Sequence, residues 1–158
     1  FDGALPRGQV EVGEGDLHLA AEGHLVGLRQ LVGSVADMVR LLTEVQQIRI
    51  TYKANNVPKN LPEVIEINSF RIVQELLQNA IKHAHASQIT LSIRPESGQL
   101  RIDYHDNGQG FDLARLNGPT GNGLLNIRQR VDLLNGSCLF TSSPGAGTTV
   151  AISVPLFA

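Results

Sequence analysis

Cysteine is almost missing from this sequence, because Cys138 is the single cysteine in 158 residues. One cysteine cannot form a disulfide within the chain, which predicts a protein of a reducing compartment, the cytoplasm. Long apolar runs are missing as well, since none approaches the ~20 residues that a membrane-spanning helix needs. The formal net charge is only −2, which offers no general attraction to nucleic-acid phosphates. We therefore expect no nucleic-acid partner.

Two nucleotide-binding signatures are also missing. The sequence contains no phosphate loop ending in Gly-Lys-Ser or Gly-Lys-Thr and no protein-kinase signature set, so those two folds are disfavoured. What the chain does contain is enough apolar material for one globular domain, since 42% of its residues are hydrophobic. Because it begins with Phe rather than Met, we expect it to be a piece of a longer protein.

Apolar periodicity divides the chain into a lead-in, residues 1–23, and one domain, residues 24–158. The lead-in is rich in glycine and acid and predicts either a small hairpin or a poorly ordered segment. In the hairpin alternative, the alternating apolar residues are Val10, Val12, Leu17 and Leu19. The domain predicts, in order, a helix, a strand, a helix, two strands, a helix and two strands. The expected fold class is α+β, a two-layer α/β sandwich whose mixed, mostly antiparallel sheet has the helices on one face.

The longest predicted helix runs from about Pro62 to His85. At 100° per residue, its apolar arc consists of Phe70, Val73, Leu76, Leu77, Ala80, Ile81 and Ala84. A neighbouring polar arc consists of Glu75, Asn79, Lys82 and His83. Glu75 and Asn79 stand one turn apart, so their side chains project into the same space. An Asn oxygen suits Mg²⁺ and a nearby Glu can orient a metal-bound water, whereas the alternative is a solvated helix face.

The stretch DNGQGF, which begins at Asp106, follows an alternating strand and permits two interpretations. Asn-Gly is a common two-residue hairpin turn. Alternatively, the Asp106 carboxylate accepts a hydrogen bond from the exocyclic amino group of adenine. Guanine presents a carbonyl oxygen at the matching place and would leave two acceptors opposed. In this second interpretation, Gly108 and Gly110 let the ring lie against bare backbone.

The stretch GPTGNGL precedes a helix that is predicted to begin near Leu124. Its glycines are Gly118, Gly121 and Gly123. Free N–H groups at a helix N-terminus bind anions such as phosphates, although a plain flexible linker has the same composition.

The stretch PGAGTT comprises the turn PGAG between the last two predicted strands and the first two residues of the final strand. A hairpin turn is a sufficient explanation for Gly145 and Gly147. The hydroxyl of Thr148 or Thr149 could add a hydrogen bond to a purine or to a bridging water.

Four motifs follow one another in the order RIVQELLQNAIKHA, DNGQGF, GNGLLNIRQRV and SSPGAGTTVAISVPL. Together they resemble the ATP-binding catalytic domain of bacterial sensor histidine kinases, in the GHKL superfamily of gyrase B, MutL and the heat-shock chaperone ATPases. More narrowly, they resemble the short-lidded kinases that pair with NarL-type response regulators. The resemblance covers about residues 25–156 and implies the Bergerat fold of that superfamily.

The resemblance implies cofactors, ATP and Mg²⁺, and a role for individual residues. Asn79 would bind Mg²⁺, and Glu75 would orient a metal-bound water or assist proton transfer. Lys82 and His83 would border the phosphates. The lid over the triphosphate would comprise Gly121, Gly123 and the helix start at Leu124. At the base, Asp106 would read the adenine amino group beside Gly108 and Gly110, and Thr148 would support the adenine end.

The implied chemistry is transfer of the γ-phosphoryl group from Mg·ATP to a histidine, which depends mainly on positioning and charge neutralisation. In the family that histidine lies on a dimerising helix and is followed by an acidic residue. No histidine here fits: His18 is in the Gly-rich lead-in, His24 begins a helix as GHLVGL, and the other three lie inside the nucleotide-binding region, namely His83, His85 and His105. His83 and His85 are two apart and point apart on a helix, so no zinc pair is expected.

The implied partners are ATP or ADP, the dimerisation and phosphoacceptor helix of the parent protein, and a downstream response regulator. The chain by itself is expected to be monomeric and its parent homodimeric. The expected location is cytoplasmic, and membrane anchoring of the parent stays open. Two alternatives keep the fold: a serine kinase of the anti-sigma-factor type, and a nucleotide-binding regulatory module without transfer activity.

Overall fold

The computed structural model describes residues 10–12, 31–46, 48–110 and 122–156. Within them, the strands are β1 Val10–Val12, β2 Arg49–Ala54, β3 Gln88–Glu96, β4 Gln99–Asp106, β5 Ser137–Ser142 and β6 Thr148–Pro155. The α-helices are α1 Leu31–Gln46, α2 Glu63–Asn79 and α3 Asn122–Leu133. A π-helical turn, Ala80–Ala84, continues α2. None of the helices in these ranges is long and apolar enough to traverse a bilayer.

The described strands form one six-stranded sheet in the order β1-β2-β3-β4-β6-β5. The β1–β2 and β2–β3 pairs are parallel, whereas β3–β4, β4–β6 and β5–β6 are antiparallel. This is the mixed, mostly antiparallel sheet that the order of elements predicted. The tight turn between β3 and β4 is Ser97-Gly98, where both residues have positive φ, as a type I′ hairpin requires.

Buried and more exposed residues alternate along the central strands, which shows that one face of the sheet is buried, the face that the helices cover. A row of large side chains crosses this face in register and consists of Tyr52, Leu91, Tyr104, Val150 and Phe140. The Tyr52 hydroxyl donates to the Val32 carbonyl of α1 at 3.2 Å. Between α2 and α3, the Arg130 guanidinium donates to the Asn68 side-chain oxygen at 3.0 Å. The expected two-layer sandwich is therefore present.

The lead-in contributes one strand to this sheet. Val10 pairs with Tyr52 in the parallel β1–β2 register. The other half of the hairpin that the sequence allowed, with Leu17 and Leu19, lies outside the described residues. Residues 24–30 of the first predicted helix lie outside them too, and α1 begins at Leu31 where the description resumes. The division at residue 24 stays a prediction.

The C-terminus of α3 is formed by Asn135 and Gly136. Asn135 is the residue with positive φ, at 56°. Asn135 N–H donates to the Asp132 carbonyl at 3.0 Å and Gly136 N–H to the Val131 carbonyl at 2.9 Å, the two bonds of a Schellman motif. Gly136 serves another purpose, because a Cβ there would overlap the Ser153 carbonyl oxygen of β6.

Candidate functional site

Asp106 is the last residue of β4 and continues its buried face, although it is charged. It lies between Ile89 of β3 and Thr148 of β6 and is 2% exposed. The Tyr104 hydroxyl donates to its Oδ2 at 2.5 Å, and the Gly108 N–H donates to its Oδ1 at 2.9 Å. An ionised carboxylate has about four acceptor positions, so these two bonds leave each oxygen able to accept another. Asp106 is thus a buried acceptor with capacity for a ligand N–H.

The DNGQGF stretch is not a hairpin. Neither Asn107 nor Gly108 has a positive φ, whereas a type I′ turn needs positive φ at both central residues. Strand β4 is also paired on both sides, by β3 and β6, so a strand that directly followed Asp106 could not pair with it. The hairpin interpretation is therefore wrong, and the chain leaves the sheet at this point.

Asn107 fastens this loop to the beginning of β3. Its side-chain oxygen accepts from the N–H groups of Ser87 and Gln88, both at 3.0 Å. Its amide nitrogen donates to the Ser87 hydroxyl at 2.9 Å. Because Ser87 follows the π-helical turn closely, these bonds place the end of β4 beside the end of the α2 segment. From the sequence, Asn107 was expected only as part of a hairpin turn, and these bonds were not predicted because its partners lie far away along the chain.

Two glycines let the loop after β4 pack backbone to backbone against the β5–β6 turn. Gly147 has φ of +74°, and a Cβ on it would overlap the Asp106 carbonyl oxygen. Gly110 has φ of +70°, and a Cβ on it would overlap the Ser143 carbonyl oxygen. The turn explanation for Gly147 was therefore incomplete, because the residue is also needed for close approach.

Thr148 lies next to Gly147, faces the same side of the sheet as Asp106 and is 6% exposed. The Ser142 hydroxyl donates to the Gly147 carbonyl at 2.9 Å, and the oxygens of Ser142 and Thr148 are 3.1 Å apart. Since the Ser142 proton is engaged with Gly147, we infer that Thr148 donates to Ser142. The Thr148 oxygen then presents only lone pairs to a ligand or a water.

Glu75 and Asn79 are both half-buried on α2, and Asn79 is its last α-helical residue. The prediction of a regular α-helix up to His85 is wrong beyond Asn79. Residues Ala80–Ala84 form a π-helical turn, and His85 ends it with φ of 50°. A π turn has more residues per turn than an α-helix, so the 100° wheel misplaces side chains after Asn79. Such turns are frequent at functional sites.

The other predicted phosphate-side residues are only partly described. Lys82 is exposed within the π turn, and the side chain of His83 lies outside the described residues. Gly121 lies outside them as well. Gly123 and the half-buried Leu124 belong to the first turn of α3, which begins at Asn122, two residues earlier than expected.

Comparison with known proteins identifies the family. The profile of the family described as histidine kinase-, DNA gyrase B- and HSP90-like ATPase matches residues 65–158, more than half of the chain. The chain belongs to this ATPase family. Its motifs had predicted the same relationship.

Two curated relatives of this ATPase domain carry the name of a histidine kinase. The chain is 33% identical over 126 residues to a signal transduction histidine-protein kinase/phosphatase, DegS, of Brevibacillus brevis, covering 80% of this chain and 32% of that protein. It is 34% identical over 93 residues to the sensor histidine kinase LiaS of Bacillus subtilis (strain 168), covering 59% of this chain and 26% of that protein. The chain thus spans a third or less of these relatives' length.

A solved structure confirms the fold of the ATPase domain. The Acinetobacter baumannii histidine kinase AdeS superposes with a TM-score of 0.63 over 91% of this chain and 77% of that chain. Its sequence identity of 17% supports a common fold only. Membership of the family makes ATP the expected nucleotide of this domain, and it supplies the context in which the residues around Asp106 are interpreted.

Proposed function

We propose that this chain is the ATP-binding catalytic domain of a sensor histidine kinase. It binds Mg·ATP and donates the γ-phosphoryl group to a histidine on a dimerisation helix elsewhere in its parent protein. The observation that carries the proposal is Asp106, a buried carboxylate held by two donors and still able to accept a third hydrogen bond. The two curated relatives are named as histidine kinases, which supports the choice of histidine as acceptor.

Base recognition is assigned to the site around Asp106. Adenine would donate its exocyclic amino group to the carboxylate, whereas guanine would place its carbonyl oxygen opposite the same acceptor. The backbone at Gly108 and Gly110 would border the ring. The Thr148 hydroxyl, with its lone pairs available, would accept from a water or from the base.

Phosphate and metal binding are assigned to the end of α2 and the beginning of α3. Among the described residues no three His, Cys, Asp or Glu side chains lie together as a metal cluster. Mg²⁺ is usually held by one or two protein oxygens, by nucleotide phosphates and by waters, so Asn79 with Glu75 nearby fits it. The cation would neutralise charge on the transferred phosphoryl group. Lys82, His83 and the Gly121, Gly123 and Leu124 stretch would border the triphosphate.

The remaining partners belong to the same proposal. The phosphoacceptor helix would come from the parent protein, which would be a homodimer, and a response regulator would receive the phosphoryl group. That the regulator is of the NarL type stays a prediction, as does the cytoplasmic location. A serine acceptor or a purely regulatory nucleotide site remain the alternatives that the experiment must separate.

Incubating the chain with the dimerisation segment of its parent and γ-labelled ATP tests the function. We expect the label on a histidine of that segment, as a phosphoramidate that is lost in acid and kept in alkali. Label that survives acid on a serine would instead establish the serine-kinase alternative. Nucleotide binding without any labelled acceptor would establish the regulatory alternative.

Replacing Asn79 by Ala tests the metal site. The affinity of the unsubstituted chain for ATP should be higher with Mg²⁺ than without it. In Asn79→Ala this gain in affinity should be at least about tenfold smaller, the range typical of groups that orient a bound metal. Titration calorimetry with and without Mg²⁺ measures both affinities. Gln78→Ala, next to Asn79 and also half-buried, is the control. An unchanged Mg²⁺ requirement in Asn79→Ala would remove this residue from the metal site.

A further inference from the structure

Tyr104 lies on β4 two residues before Asp106, on the same buried face, and is 3% exposed. Its pairing partners across the sheet are Leu91 of β3 and Val150 of β6, both apolar. A phenylalanine would satisfy that apolar row as well as a tyrosine does. The hydroxyl therefore needs an explanation of its own, and its partner is Asp106.

The hydroxyl of Tyr104 defines the plane of the Asp106 carboxylate together with the backbone of Gly108. The terminal torsion of an aspartate is broad and roughly two-fold, so it does not fix the orientation by itself. Here Tyr104 holds Oδ2 at 2.5 Å and Gly108 N–H holds Oδ1 at 2.9 Å. With both oxygens held from different sides, the remaining lone pairs point in defined directions.

Electrostatics keep Tyr104 in the donor role. Burial raises the pKa of the Tyr104 hydroxyl far above its usual range, and the hydrogen bond to Asp106 and the negative charge of Asp106 raise it further. The hydroxyl therefore stays protonated at any physiological pH. It can always donate to Oδ2, so the orientation of the carboxylate does not vary with the state of Tyr104.

We propose that Tyr104 is a positioning residue for adenine selection. Its hydroxyl holds the Asp106 carboxylate in the orientation in which a lone pair can accept from the exocyclic amino group of adenine. The inference rests on the proposed function, in which Asp106 reads the base. Tyr104 acts through Asp106 and makes no contact with the nucleotide itself.

The test compares two ligands on Tyr104→Phe, which keeps the ring and removes the hydroxyl. The ligands are ADP and purine riboside 5′-diphosphate, which is ADP without its exocyclic amino group, and affinities come from titration calorimetry. In the unchanged chain ADP should bind more tightly. In Tyr104→Phe this advantage of ADP should fall by about tenfold, the effect of one hydrogen bond to a charged group. Affinity for purine riboside diphosphate should stay within about twofold, whereas general structural damage would weaken both ligands alike.

Tyr52→Phe is the matched control, because it removes the other buried tyrosine hydroxyl, which donates to the Val32 carbonyl. It should leave the advantage of ADP unchanged. Should Tyr104→Phe fail to fold, Tyr104→Leu, which also removes the hydroxyl, must show the same loss of discrimination. A full advantage of ADP in either folded Tyr104 variant overturns the inference. No advantage of ADP in the unchanged chain would instead overturn the proposed role of Asp106.

Discussion

Asp106→Asn is expected to weaken ADP binding by about 1–3 kcal/mol, which is roughly 5- to 150-fold in affinity. The reason lies in the two donors that already hold the side chain. An amide has one oxygen and one NH₂ group, and the Tyr104 hydroxyl and the Gly108 N–H point at the two carboxylate oxygens. With its oxygen toward the Gly108 N–H, the amide turns its NH₂ group to the Tyr104 hydroxyl, whose oxygen can accept from it. The variant therefore keeps two neutral bonds, but it loses the negative charge and the lone pairs of one oxygen, which weakens acceptance from adenine.

Calorimetric titration with ADP and GDP measures this effect. The unsubstituted chain should prefer ADP to GDP. This preference should largely disappear in Asp106→Asn, since an amide can also donate to the guanine carbonyl. Asp103→Asn is the matched control, because Asp103 lies on the same strand, is part-buried and binds Arg94 at 2.6 Å rather than the loop after β4. If Asp106→Asn and the unsubstituted chain bind ADP with equal affinity, the adenine base binds elsewhere.

Gly147→Ala is expected to destabilise the domain and to abolish ADP binding that calorimetric titration can detect. An alanine at φ of +74° costs about 1–2 kcal/mol by itself. Its Cβ would also overlap the carbonyl oxygen of Asp106, and forcing extra volume into a packed site costs typically about 1–3 kcal/mol more. Relief of the overlap must displace either the β5–β6 turn or Asp106, and both belong to the proposed adenine site.

Gly98→Ala separates the two costs of Gly147→Ala. Gly98 has nearly the same φ, +76°, but a Cβ there would meet no atom within 4 Å. Chemical denaturation should therefore show a smaller loss of unfolding free energy for Gly98→Ala than for Gly147→Ala. The ADP affinity of Gly98→Ala should equal that of the unsubstituted chain. If the two variants lose the same stability and both bind ADP normally, the close approach of Gly147 to Asp106 has no functional consequence.

The order of elements could be predicted from the sequence because its signals are local. Alternation at Ile89, Leu91 and Ile93 marks β3 whatever lies beside it, and the apolar arc of α2 is evident from 3.6-residue periodicity. The same periodicity failed after Asn79, where the chain adopts the π-helical turn Ala80–Ala84. Periodicity assumes a constant number of residues per turn, so it cannot predict where that number changes.

The family was also within reach of the sequence, since four motifs in one order predicted an ATPase domain that the family profile confirms. The roles of Asp106, Asn79 and their neighbours remain proposals. The role of Asn107 was missed because its three side-chain bonds go to Ser87 and Gln88, which become its neighbours only when β3 and β4 pair.

By itself, then, the sequence determined the two layers, the order of helices and strands, and a carboxylate at the end of β4, because periodicity and motif order need no knowledge of distant contacts. Only the tertiary structure decided that the Tyr104 hydroxyl points at that carboxylate, that Gly147 touches its backbone and that Asn107 joins it to the end of the α2 segment. Those contacts depend on strand register and on the conformation of the loops. Residues far apart in the chain meet there only after the sheet has formed.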